Sequence, residues 1–420
     1  MLRSLLVLVL VTLASCLTYP DPDSDVFVVP ERVTSLYEIY FEDALHHLPM
    51  GETHFTKPPA QVRVLLFGNH GAGKSSFVTH TVERPGLLPT GIAMTTDKIT
   101  YVTGGGSDSM LDSRSSVGLF PELDSLFQRY PTLPNHFSTR VYESDKHSPI
   151  LFIDTPGTVD TQVSYGFDIN AVINDLAKTS DLILVFLDPH GQSLCQRTLD
   201  VIRTLASDPQ IYERMVFVLS KVDLLTDGFD KLNLMVQITQ NLAFVVPQKG
   251  FKIHPMVLPE YIEASDPHNA EVLRELNALD EIHGMLIQAL SRRAQDAAHS
   301  FKALVERVDV AVAEVIALDD DIRSQRSTVN TKVFLGAVII LSVCYFGWDK
   351  LADQVENGHW KEVLGCSACI TLVGVVVLKS RPALLDTVTV QTAKEVAPRL
   401  GYLRETAAHL MRKIAAGVGV

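Results

Sequence analysis

A mostly parallel α/β sheet with helices on both faces, followed by a helical region, is the fold class this 420-residue sequence predicts. Three observations carry it. Apolar runs alternate with helical patterns from residue 61 to about 259, an order that calls for crossover connections and a sheet covered on both sides. One junction in that stretch reads apolar run, then Gly-x-x-x-x-Gly-Lys-Ser, then helix start, over residues 62–80. Beyond Pro267 the spacing changes to long helical repeats.

Composition sets the outer bounds. Hydrophobic residues make up 46% and charged residues 20%, the balance of a globular chain. A net charge of −13 without a basic run excludes nucleic acid as the main partner. The five cysteines, Cys16, Cys195, Cys344, Cys366 and Cys369, form neither a disulfide framework nor a zinc pattern.

Taken in order, residues 1–17 show the charged, apolar and small-residue zones of a signal peptide or N-terminal anchor. Residues 18–60 open on a proline- and aspartate-rich stretch, 18–30, expected to be extended, and continue into a helix over 33–48. Within 61–260, strands are expected at 61–67, 97–103, 149–153, 181–187, 214–220 and 252–258, and helices at 73–82, 168–179, 192–206 and 229–245. The glycine- and serine-rich stretch 104–116 reads as a loop. A helical stalk follows at 261–330, carried by Val272, Leu273, Leu276, Leu279, Leu286 and Leu290 and then by Phe301, Leu304, Val305, Val308, Val312 and Val315. Residues 331–380 hold two uncharged apolar runs, 333–348 and 363–378, flanked by Lys332, Lys350, Lys361 and Lys379. They predict a two-helix transmembrane hairpin. An amphipathic helix, with Leu400, Leu403, Ala407, Leu410, Met411 and Ile414 on one face, closes 381–420. These segments together predict an integral protein of the endomembrane system. The signal-like start and the basic flanks of the hairpin point to opposite sides of the membrane, so the side of the sheet domain stays open.

Four constellations carry chemistry. The first is Gly68, Asn69, His70, Gly71, Ala72, Gly73, Lys74 and Ser75, running into Ser76 at the helix start. Its glycines let backbone N–H groups wrap phosphate oxygens at a helix N-terminus. Lys74 would neutralise the terminal phosphates and Ser75 would ligate Mg²⁺. The second is Asp154, Thr155, Pro156 and Gly157 at a strand end. There the carboxylate would hold the metal's shell and the Gly157 N–H would report a γ-phosphate. The third, Thr95-Thr96-Asp97, offers Thr96 as a further Mg²⁺ ligand closing over the γ-phosphate. The fourth, Ser220-Lys221-Val222-Asp223, places a carboxylate where guanine presents two N–H donors, with Lys221 along the purine face. No glutamine follows Gly157, since Thr158 stands there. His70 is then the nearest side chain for positioning water, and a purely structural His70 is the equal alternative.

With those residues in place, the chain resembles the dynamin superfamily, and within it the EH-domain-containing (EHD) ATPases and the sarcalumenin-like proteins. The likeness rests on the helix opening at 33–37, on the first-switch-like stretch 86–97, on Asp188-Pro189-His190 and on 269–290. Residues 88–92 with Thr95 and Thr96 are also similar to the mitofusin switch. The resemblance implies a Mg²⁺-dependent nucleotide hydrolase that works on membrane lipids, dimerises across its nucleotide face and forms homo-oligomers. Slow GTP hydrolysis driving membrane remodelling or tethering is the expected function. The alternatives are an ATP-specific enzyme like the EHD branch, and a lumenal, calcium-associated scaffold with little turnover. Ser75 and Ser220 depart from the EHD pattern, which has threonine and asparagine there, and no EH-domain pattern occurs within these residues.

Overall fold

The computed structural model describes residues 25–50, 61–89, 98–144, 149–157, 166–189, 196–225, 228–246, 250–346 and 387–417. The chain divides into two compact units, one built on Pro58–Ala298 and one on Ser35–Lys57 with His299–Arg412.

The first unit is built on an eight-stranded sheet: β1 (Val62–Gly68), β2 (Ile99–Gly105), β3 (Ser109–Leu111), β4 (Phe137–Glu143), β5 (Ile150–Asp154), β6 (Leu182–Leu187), β7 (Met215–Leu219) and β8 (Ile253–Pro255). Their order is β3-β4-β2-β5-β1-β6-β7-β8. Pairing is parallel except for β2 with β5 and β3 with β4. Alternation along β1 divides the core. Leu65 and Phe67 face one layer, with Val172, Ile173 and Leu176 of the helix Ile169–Thr179 and Val201, Ile202 and Leu205 of the helix Gln196–Ala206. Val64 and Leu66 face the other, with Phe77, Val78, Ile282, Leu286 and Leu290. Each such side chain contributes about 1.5–3 kcal/mol by leaving water. Strands buried on both faces read as nearly unbroken apolar runs, and this is why β5, β6 and β7 stand out in the sequence.

Two stretches differ from the sequence reading. The expected loop 104–116 contains the end of β2, all of β3 and the start of a helix, Ser113–Leu119, capped by the Asp112 carboxylate accepting from Ser115 N at 2.8 Å. The expected extended stretch 18–30 is helical from Asp25 onward, in Asp25–Tyr40, which admits Pro30 in its interior. The Thr34 hydroxyl donates to the Pro30 carbonyl at 2.9 Å and helps hold that turn.

The second unit is helical. Within it, Phe41 meets Phe301 edge-on at 6.1 Å. The helix Thr387–Gly417 carries Lys394, whose ammonium lies 3.1 Å from the Asp319 carboxylate, and Arg404, which pairs with Asp309. Val390, Ala393, Val396, Leu400, Leu403, Ala407 and Leu410 of that helix are buried. Its apolar stripe is therefore covered by protein.

The expectation of an integral membrane protein is overturned: among the described residues, no helix is long and apolar enough to cross a membrane. The apolar residues from Val333 to Phe346 form the end of one long helix, Leu279–Phe346, whose earlier turns alternate buried apolar residues such as Leu286, Leu304 and Val312 with exposed polar ones. The second run, 363–378, and the signal-like segment, 1–17, lie outside the described residues.

Candidate nucleotide site

The phosphate-loop sequence begins at the last residue of β1. Three of its glycines have positive φ: Gly68 at 150°, Gly71 at 69° and Gly73 at 81°. Gly68 is also pressed against β6, where an added Cβ would lie 2.1 Å from the Phe186 carbonyl oxygen. These torsions turn the chain sharply from strand to helix and leave the N-terminus of Lys74–Thr81 facing the loop's hollow. Lys74 is 6% exposed, and its ammonium donates to the loop's own carbonyls, Asn69 O at 2.9 Å and Gly68 O at 3.2 Å. Ala72 and Asn69 are fully buried, and the Asn69 side-chain oxygen accepts from the Thr198 hydroxyl. Thr198 was invisible to motif reading because it lies 129 residues away and belongs to no signature.

Asp154, at the end of β5, comes to the same spot. Its Oδ2 accepts from the Ser75 hydroxyl at 2.6 Å, and its buried Oδ1 has no hydrogen-bond partner among the described residues. Burial pushes the Lys74 ammonium down to about 8, against the pull of Asp154, which favours its charge. Burial likewise pushes the Asp154 carboxyl up, opposed by Lys74 and by the Ser75 hydroxyl. Desolvation thus outweighs their mutual attraction in this pocket. A hydroxyl beside a carboxylate with one unsatisfied oxygen is a donor set that fits Mg²⁺. Ser75 and Asp154 are the residues that would hold it.

The next residues tie this strand end to the loop. The Thr155 hydroxyl donates to Leu66 O at 2.8 Å. Gly157 lies so close to His70 that a Cβ there would sit 2.3 Å from His70 Cα. Ser220 donates from both its N–H and its hydroxyl to Leu187 O, at 3.0 and 3.2 Å, placing the Ser-Lys-Val-Asp turn beside the loop. Lys221 adopts a left-handed φ of 54°, and its ammonium stands 3.7 Å from the Asp188 carboxylate and 3.8 Å from where a Gly71 Cβ would be. Asp223 follows in the short 3-10 turn Val222–Leu224. Ser76 is in the helix's first turn. The structure thus brings together residues 68–76, Asp154, Gly157 and Lys221, with Asp223 two residues further along the turn, whereas Thr96 lies outside the described residues.

A strand, glycine loop and helix, a carboxylate at the neighbouring strand's end and the Ser-Lys-Val-Asp turn beside the loop are the arrangement of a P-loop GTPase domain. The family model described as 50S ribosome-binding GTPase matches residues 63–221. The chain is a homologue of the EH domain-containing proteins. It is 24% identical to human EH domain-containing protein 1 over 298 residues, covering 62% of this chain and 54% of that protein. Human EH domain-containing protein 3 is 24% identical over 265 residues, covering 59% and 48%. The chain therefore spans about half the length of the curated relatives it matches. Among solved structures it is similar to a chain of an oligomerised bacterial dynamin pair, with a TM-score of 0.44 and 15% identity over 92% of this chain and 59% of that one. It is also similar to Era in complex with MgGDPNP and 16S ribosomal RNA, with a TM-score of 0.32 and 16% identity over 54% and 56%. At those TM-scores neither likeness carries functional weight.

Proposed function

We propose that this chain binds GTP with Mg²⁺ and hydrolyses it slowly, using the cycle to remodel or tether membranes. The single observation that carries the nucleotide reading is the convergence of Lys74, Ser75 and Asp154 in one buried pocket at the glycine loop, with an Asp154 oxygen left unsatisfied. Mg²⁺ would supply charge neutralisation between the terminal phosphates. Lys74, released from the Gly68 and Asn69 carbonyls, binds phosphate oxygens, and the loop N–H groups from Gly68 to Ser76 enclose them. Gly157, packed on His70, carries the phosphate state into the chain beyond it, and Thr96 is assigned from its motif as a further Mg²⁺ ligand. His70 is the side chain we assign to water positioning. Lys221 and Asp223 meet the base, and the carboxylate of Asp223 favours guanine. The membrane role and a nucleotide-dependent homodimer follow from the resemblance to the dynamin superfamily. ATP is the second reading, supported by the resemblance to the EHD branch.

Calorimetric titration of the chain with GTP and with ATP, each with Mg²⁺, tests this. GTP is expected to bind at least tenfold more tightly, and Lys74→Ala to abolish binding of both. Equal binding by that variant refutes the site, and tighter ATP binding reverses the base assignment.

A further inference from the structure

A second cleft runs along the phosphate-loop helix from Ser76 to Thr81 and on to Gly86. It has a volume of about 560 Å³, within the range of ligand sites. Thr79 and His80 of the helix Lys74–Thr81 form one wall, Glu260 and Tyr261 of the helix Pro259–Glu263 another, and His283 and Glu83 complete it. Among the described residues, no lysine or arginine lines it.

His283 is 2% exposed, and its ring lies parallel to that of His80, with centroids 6.5 Å apart and planes 10° apart. Its Nε2 is 3.3 Å from the Thr81 hydroxyl, while its buried Nδ1 has no hydrogen-bond partner among the described residues. The Thr79 hydroxyl is likewise buried without one. Native proteins rarely leave such atoms unpaired. Two carboxylates face the same space. Glu260 stands 3.9 Å from His80 Nδ1 and is 56% exposed. Glu83 holds a left-handed φ of 53°, a conformation that a glycine at this position after the helix would adopt without strain. A glutamate in that place gives up stability for its carboxylate. Tyr261 presents a half-exposed ring.

We propose that this cleft binds an arginine side chain presented by a partner protein. Two carboxylates and no basic residue repel phosphate and attract a cation. A guanidinium, planar and rich in donors, uses what an ammonium would not: it stacks on Tyr261 and His80 while its N–H groups reach Glu260, Glu83 and the Nδ1 of His283. That last contact selects the tautomer in which His283 donates from Nε2 to Thr81 and accepts at Nδ1. Burial and the neighbouring His80 press His283 down to about 4, so it is a neutral acceptor at physiological pH. The inference goes beyond the nucleotide reading and does not rest on it.

The test uses the full chain, labelled with ¹⁵N-histidine and free of nucleotide. It is titrated with acetyl-Gly-Arg-Gly-amide and with the citrulline and lysine versions of that peptide, and the His80 and His283 ring nitrogens are followed by NMR. The arginine peptide is expected to shift both rings saturably, and the other two to bind at least tenfold more weakly. Glu260→Gln is expected to weaken arginine binding at least tenfold. Glu83→Gly is expected to do the same while raising the melting temperature, which separates lost recognition from lost folding. Equal binding of the citrulline peptide, unchanged affinity in Glu260→Gln, or ring shifts with Zn²⁺ alone and none with the arginine peptide would each overturn the proposal.

Discussion

Lys74 is the residue on which the electrostatics of the site turn. Its ammonium titrates near 8 in the folded chain and near 10.5 when unfolded. Between those values the unfolded chain binds more protons, so this group makes stability rise with pH across that window. At neutral pH its buried charge costs on the order of 3 kcal/mol. Lys74→Met should therefore raise the melting temperature of the nucleotide-free protein at pH 7, flatten the climb between pH 8 and 10.5, and lose nucleotide binding. Calorimetric scans against pH check all three. Gly157→Ala acts through sterics instead, because its Cβ would meet the His70 backbone at 2.3 Å. The loop must then move away, and we expect at least a tenfold loss of GTP affinity with the circular dichroism unchanged. Both positions were legible from the sequence, since glycine spacing and a strand-end aspartate are local signals. Thr198, which secures Asn69, was not, because only the crossing of a distant helix brings it there.

Among the elements, strands with long apolar runs announced themselves, whereas β3, β4 and the helix Ser113–Leu119 did not. In β4, partly exposed Arg140 and Val141 interrupt the buried positions, and Ser138 and Thr139 are buried polar residues. The helix Ser113–Leu119 has no apolar stripe, and its one buried residue is Ser116, whose hydroxyl is 2.8 Å from that of Thr139. Polar contacts place both elements, and apolar periodicity is blind to such contacts. In the helical unit, pairing also rests on charge. The Asp319 carboxylate accepts from Arg323 at 2.9 Å and Lys394 at 3.1 Å, and both hold it below the usual carboxylate range. A lowered carboxyl stabilises above its unfolded value and stops doing so as pH falls through its folded one. Asp319→Ala should speed limited proteolysis within Thr387–Gly417 at pH 7, whereas at a pH below both values variant and parent should be cut alike.

At the scale of the whole molecule, the sequence revealed the order of layers but misread the apolar end of Leu279–Phe346. Window hydropathy registers composition and not the amphipathic length of helix to which a short apolar run is joined. The units are interleaved along the chain, with Ser35–Lys57 preceding the sheet and His299–Arg412 coming after it. A chain truncated after Ala298 should keep its sheet and bind nucleotide, but expose Phe41 and so bind a hydrophobic dye that the full chain does not. During synthesis the same arrangement sets a timetable. The segment carrying Phe41 leaves the ribosome first and meets Phe301 only after every strand has been made. For that interval it is a greasy, unclaimed surface in a crowded cell, and a transient guardian for nascent chains would find its binding site there.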